Sequence, residues 1–291
     1  MVEKIMKYFA VGQFLILQCA SKDLNNGRIS RTDFPFLVSI RKGTEESSHI
    51  CSGSLIEFSW VLTAAHCVKK HVSNSNDIYI FAGEPTSPEE QNRKAKEIHF
   101  HKNFDHGQYL SDIALISTEI PFMKKSSVGL CPIPKYVMPD EIRESCKSVC
   151  VLSIEFEAPK LNQSSTVLMS SKHTIMWNRE CEKIRRHTLT KHTFCGTSKN
   201  MTACSLDTGG PALCEGTIYG VIYFGCPHDA FPSYFTRVDR YLKFIEEVMG
   251  TDTYLSVEKR SQGYTKSPHT TTVLITLFMV LIGNVGSMRH V

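Results

Sequence analysis

The sequence predicts an all-β fold, a sandwich or barrel, with a single helix at its C-terminal end. Three observations carry this reading. From about Phe34 to Tyr234 the 291-residue chain runs as short apolar stretches separated by turn residues, the spacing of sandwiches and barrels. Helical spacing is strong in one place only: Tyr241, Phe244, Ile245 and Val248 fall on one face of residues 237–249, and Gly250 suits the end of that helix. With 42% hydrophobic and 21% charged residues, the chain can bury a sizeable core and is not disordered by composition.

Taken in order, the first twenty residues place Lys4 and Lys7 before an apolar run from Tyr8 to Leu17, then Cys19-Ala20. This is the pattern of a secretory signal cut near Ala20, and the run is too short for a comfortable membrane span. Residues 21–33 form a short segment before the domain at 34–250. In the domain, Phe36-Leu-Val-Ser-Ile40 alternates with its apolar residues on one face. Trp60–Thr63, Ile78–Phe81, Ile113–Ile116, Val167–Met169 and Tyr219–Tyr223 are similar short strands. Asn162-Gln-Ser and Asn200-Met-Thr are glycan acceptor triplets if they sit on surface loops. Residues 251–272 read as a polar stalk, and 273–291 begin with the apolar run Val273–Ile282. That run fits a GPI-anchor signal, with Ser261, Gly263 or Ser267 near the attachment site. A single short C-terminal span ending before Arg289-His290 is the competing reading. Either places the domain outside the cell and at its surface, with the tail as the membrane contact; the alternative is a secreted domain with a soluble tail.

The net charge of +4, without a long basic run, argues against a nucleic-acid partner. Eleven cysteines with no CxxC spacing point to an oxidising compartment rather than to a zinc centre. Removal of Cys19 with the signal leaves an even ten. No metal or cofactor is expected.

Three short motifs carry chemistry. Thr63-Ala-Ala-His66-Cys67 follows a strand. Ser111-Asp112-Ile-Ala-Leu-Ile116 comes next, with Asp112 46 residues beyond His66. Cys204-Ser-Leu-Asp207-Thr208-Gly-Gly-Pro211 places a hydroxyl residue 96 positions beyond Asp112. In this order and at these separations the chain resembles the chymotrypsin-like (S1) serine proteases, from about Phe34 to Val248. The resemblance implies two six-stranded antiparallel β-barrels with a C-terminal helix and an active site in the cleft between the barrels. It also implies that His66 serves as general base and then general acid, that Asp112 holds its tautomer, and that Thr208 stands where the family has its nucleophilic serine.

Departures from the family pattern are concentrated at the site. Threonine keeps a hydroxyl but stiffens the side-chain torsion. Leu206 replaces the glycine whose N–H is one of two oxyanion donors, the other being the N–H of residue 208. The expectation is a catalytically inactive or weak homologue that binds a peptide or protein in its cleft; the alternative is an active endopeptidase using Thr208. Family members are cut before an Ile-Val-Gly-Gly start, and the new amine pairs with the aspartate at position 207. Here Arg28-Ile29 offers a cleavable bond before an isoleucine but lacks those glycines, and a linker is the preferred reading over a cleaved bond. The arm from Ile29 to Pro35 is short, and if it does not reach Asp207, that residue needs another partner or stays partly disordered. The specificity pocket falls on Thr202, Gly225 and Ser233, with no carboxylate for a basic side chain. Tyr223-Phe224-Gly225 is the peptide-docking strand. The resemblance implies disulfides Cys51–Cys67, Cys181–Cys195 and Cys204–Cys226, and it pairs Cys214 with Cys146 or Cys150. With Cys146, the preferred partner, Cys131 is left to Cys150, a pairing the family does not guarantee.

Overall fold

A computed structural model of the protein describes residues 27–85, 87–157, 165–185, 189–198, 207–225 and 232–250. The expected signal over 1–20, the stalk, the tail, both glycan acceptors, Thr202, Cys204, Leu206 and Cys226 lie outside the described residues.

The chain opens with a two-residue strand, β1 (Gly27–Arg28), and then builds a first barrel from β2 (Leu37–Lys42), β3 (His49–Glu57), β4 (Trp60–Thr63), β5 (Ile78–Ala82), β6 (Gln91–Phe100) and β7 (Ala114–Thr118). The hydrogen-bonded order β2-β3-β4-β7-β6-β5 closes on itself, which leaves no edge to aggregate. A one-turn helix, α1 (Ala65–Val68), follows β4. Apolar side chains alternate into the interior, where Phe36, Val38, Ile40, Leu55, Val61, Ile80 and Leu115 are buried.

A second barrel uses β8 (Ser148–Glu157), β9 (Ser165–Ile175), β10 (Thr193–Thr197), β11 (Pro211–Cys214), β12 (Thr217–Phe224) and β13 (Ser233–Arg237). These strands pair in the order β9-β10-β13-β12-β11-β8, and β8 pairs back with β9 to close the ring. All pairings are antiparallel, and β1 is an extra strand on β9. Its core stacks Phe194 on Phe235 with ring centroids 4.8 Å apart. Helix α2 (Asn178–Arg185) precedes β10, and α3 (Leu242–Met249) closes the domain. Gly250 ends α3 with φ 68°, a left-handed cap that glycine adopts without a Cβ penalty.

The linker between the barrels is pinned by a buried ion pair. Arg237 donates to Asp239 through Nε (3.0 Å) and Nη2 (2.6 Å), and through Nη1 to the Asp140 carbonyl at 2.6 Å. Asp239 in turn accepts the Met138 N–H at 2.8 Å. A fully hydrogen-bonded pair of this kind is costly to break at one partner, because the other charge is left buried.

Cys51–Cys67, Cys146–Cys214 and Cys181–Cys195 form disulfides. The expected Cys131–Cys150 pair does not form. Cys131 is a buried free thiol whose Sγ faces the Gly216 carbonyl, while Cys150 is engaged in another disulfide. Burial pushes the Cys131 thiol well above its ordinary range, so it behaves as a small apolar side chain.

Candidate active site

β4 delivers the first site residue. After Thr63 the chain passes through extended Ala64 into α1, and Ala64 and Ala65 are fully buried, so only small side chains fit this turn. His66 projects from α1 with its side chain 17% exposed. Asp112 lies just ahead of β7 and is fully buried. The preceding Ser111 takes φ 53°, a left-handed conformation that turns the chain there, and its hydroxyl lies 3.1 Å from Tyr241 Oη.

The aspartate meets the histidine twice. His66 N–H donates to Asp112 Oδ1 at 2.8 Å, and His66 Nδ1 lies 2.6 Å from Asp112 Oδ2. An acceptor at that distance fixes the ring proton on Nδ1 and leaves the Nε2 lone pair pointing outward. Thr208 Oγ1 lies 2.9 Å from His66 Nε2, the distance at which a hydroxyl gives its proton to a general base. Thr208 comes from the second barrel, just before β11. Its carbonyl accepts the Ser52 N–H at 3.0 Å, and Gly209 N–H donates to the Ile222 carbonyl at 2.8 Å. Gly209 has φ +82°, and a Cβ there would lie 2.4 Å from both Ser52 O and Thr63 Oγ1. Only glycine can therefore follow Thr208 in this geometry.

The Cys51–Cys67 sulfurs line the same spot, with Cys51 Sγ 3.3 Å from Thr208 Oγ1. Cys51, Cys67 and His66 bring three donor atoms together, but the two sulfurs are bonded to each other and offer no thiolate. The donor set does not fit a metal.

Side chains of the first barrel meet Asp207. Ser52 Oγ–H donates to its Oδ2, and His49 Nε2 lies 2.9 Å from the same oxygen. Of the pocket positions, Gly225 and Ser233 are described. Ser233 is buried, and its hydroxyl faces His173 Nε2 at 3.3 Å. His173 is itself buried, and desolvation pushes its pKa down to about 4. It is therefore neutral at physiological pH and brings no charge to this wall.

Besides Ser52 and His49 at Asp207, two further residues, Tyr109 and His173, had no signal in the sequence. Tyr109, with φ 52°, packs edge-on to His66 at 5.9 Å between ring centroids and stacks on Tyr223 at 5.7 Å. His173 backs Ser233 from β9. Neither carries a motif; both reach the site through the closure of the barrels.

The chain was compared with known proteins. The Trypsin family model matches residues 25–245. Rat trypsin V-B is 29% identical over 225 residues, covering 75% of this chain and 85% of the rat protein. Pig trypsin is 27% identical over 230 residues, covering 75% and 91%. The solved structure of neuropsin, a serine protease expressed in the limbic system of mouse brain, superposes with a TM-score of 0.63 at 20% identity, covering 77% of this chain and 98% of that one. Since the family model spans both barrels and all three site segments, the chain belongs to the trypsin-like (S1) family of serine proteases.

Proposed function

We propose that this chain is an extracellular, membrane-anchored member of the family that binds peptides or proteins in its cleft and turns them over weakly or not at all. The observation that carries the reading is the identity of the hydroxyl residue facing His66, a threonine. Its extra methyl restricts the torsion and takes up space at the point of attack. A misplacement of about 1 Å at the reacting atoms can cost on the order of a hundredfold in rate. Leu206 adds a second lesion, because a β-carbon disfavours the backbone orientation that glycine gives an oxyanion donor. Loss of one such donor costs roughly 10²–10³ in turnover. Thr202, together with Ser233 turned towards a neutral His173, offers a basic side chain no countercharge, so the favoured ligand side chain is uncharged. Glycans at Asn162 and Asn200 suit the same extracellular setting.

The test is a fluorogenic peptide-library assay on intact protein and on protein cut at Arg28, with Thr208→Ser and Thr208→Ser/Leu206→Gly alongside. The wild type is expected to be silent and the double variant to gain activity. Robust wild-type turnover that disappears in Thr208→Ala overturns the proposal.

A second reading, an active threonine endopeptidase, is favoured by one observation: Thr208 Oγ1 stands 2.9 Å from a histidine already oriented by Asp112. It requires that a fluorophosphonate probe acylate Thr208. If the wild type stays unlabelled where Thr208→Ser labels fully, this reading is removed.

A further inference from the structure

Two histidines pack on one tyrosine where the barrels meet the C-terminal helix. His101 follows β6, His192 precedes β10, and Tyr241 stands one residue ahead of α3. The Tyr241 ring is buried, with the His101 centroid 5.0 Å and the His192 centroid 5.5 Å from its own. His101 also meets Phe244 of α3 at 5.3 Å. Tyr241 Oη lies 3.1 Å from Ser111 Oγ, one residue before Asp112. His101 closes the loop that carries Asp112. Its N–H donates to the Ile113 carbonyl at 3.2 Å, and its carbonyl accepts the Phe104 N–H at 2.9 Å. Its Nδ1 accepts the Asn103 N–H at 3.2 Å. An accepting Nδ1 places the ring proton of neutral His101 on Nε2. A second proton goes to Nδ1, where it faces the Asn103 donor and ends that bond.

The surroundings resist that proton. His101 has Lys102 beside it; the opposing charge, Glu247 of α3, is exposed and 3.7 Å from Lys243. His192 faces Lys191, Arg240, Arg237 and His101 itself, and the two arginines are already bound to Asp239 and Asp140. Burial, with the Asp112 charge behind it, pushes the Tyr241 phenol up, so it stays neutral. Burial first and the nearby cations second hold both histidines below their ordinary 6.5. If Tyr241 swings away, both rings meet water and titrate near that ordinary value. The opened form then binds protons that the closed form refuses, so the closed form loses ground as pH falls below 6.5. Two pH units across that value change the balance by at most about tenfold for each histidine.

We infer that His101 and His192 form an acid-sensitive latch on Tyr241. Neutral, they hold α3 against the Ser111–Asp112 turn; protonated, they free Tyr241 from Ser111 and loosen the turn that orients His66. The cleft is thereby set at neutral pH and relaxed in acid. The latch acts on Asp112 whether or not Thr208 turns substrate over.

The experiment measures amide hydrogen exchange in the full chain at about pH 7.5 and about pH 5.5, with the pH dependence of the chemical step divided out. The amides of His101, Phe104 and Ile113 should lose between about fivefold and about a hundredfold in protection at the lower pH. That loss should not change with low concentrations of urea, because a local opening exposes little surface. Unchanged protection at Ile113 overturns the latch. So does a loss that grows with urea in step with Leu55 of β3, which marks unfolding of the whole domain. The double variant His101→Gln/His192→Gln should flatten the pH dependence at Ile113, and a wild-type slope in that variant refutes the role of the two rings. Tyr241→Phe keeps the ring and drops the Ser111 contact, and it should speed Ile113 exchange about fivefold at the higher pH. No change there breaks the link from Tyr241 to the turn. Nitrogen NMR should show neutral His101 as the Nε2–H form, and the Nδ1–H form is a refutation. The pH comparison in wild type needs no substitution, so a variant that fails to fold does not shield the latch from the test.

Discussion

His173 shows how far a single side chain can shape both pocket and stability. Burial beside Phe235 holds its pKa at about 4, against 6.5 for the ordinary residue. As pH falls through 6.5 the unfolded chain takes up a proton that the folded chain refuses until about pH 4. Folding stability therefore declines with acidification across that window and levels off below it. A gap of this size corresponds to roughly 3 kcal/mol for a group so deeply buried. His71, His101 and His192 are also lowered by desolvation and add to the same slope. Urea unfolding from pH 7 to pH 4 should show the decline, and His173→Gln should flatten part of it without steepening any region. A curve of unchanged slope in His173→Gln would mean that the imidazole takes up its proton alike in the folded and unfolded chain. Nothing in the sequence marks this histidine, because its neutrality comes from burial against β10 and β13 rather than from its neighbours in the chain.

The elements differ in how openly they announce themselves. β4, β5, β7 and β12 could be located as apolar runs because both of their faces are covered. β6 was not legible: it reads Gln-Asn-Arg-Lys-Ala-Lys-Glu-Ile-His-Phe, and only Gln91, Ala95 and Ile98 are buried. Its strand character comes from pairing with β5 and β7, which overrides the preferences of its charged residues. The three family-pattern disulfides whose partners are both described form, and Cys131, which that pattern does not pair, is a free thiol. The three bridges should not weigh equally. Cys146–Cys214 spans 68 residues and Cys181–Cys195 spans 14. By the chain-entropy model the longer loop is worth about 4 kcal/mol and the shorter about 3. Paired Cys→Ala variants measured by guanidinium unfolding should therefore lose more stability at the first bridge, which also fixes the inter-barrel linker to β11. An equal or reversed order would place the stabilisation in native-state packing instead of in the unfolded chain.

On the scale of the whole molecule, the three motifs were legible because each is a short local signal. Their meeting is the work of two closed barrels, which bring His66, Asp112 and Thr208 together across 142 residues of chain. The neighbours of Asp207 were not legible, since Ser52 and His49 reach it only once β3 is closed into the first barrel. Among the described residues no helix is long and apolar enough to cross a membrane, and the proposed attachment is argued from the sequence of residues 251–291 alone. Residues 251–272, expected as a polar stalk, have no apolar periodicity in their sequence. Val273–Ile282 supplies ten residues, all but Thr276 strongly apolar, about half of a usual helical span of about twenty. A helix that short would expose polar ends to hydrocarbon. Replacement of the tail by a lipid anchor avoids that cost, and small residues at Ser261, Gly263 and Ser267 are available for the transfer. Phosphatidylinositol-specific phospholipase C should thus release the domain from intact cells into the medium, and an epitope placed after Arg289 should be missing from the mature form. Retention on treated cells together with detection of that epitope would replace the lipid anchor with a membrane-spanning tail, because the residues that a transamidase removes would still be attached to the domain.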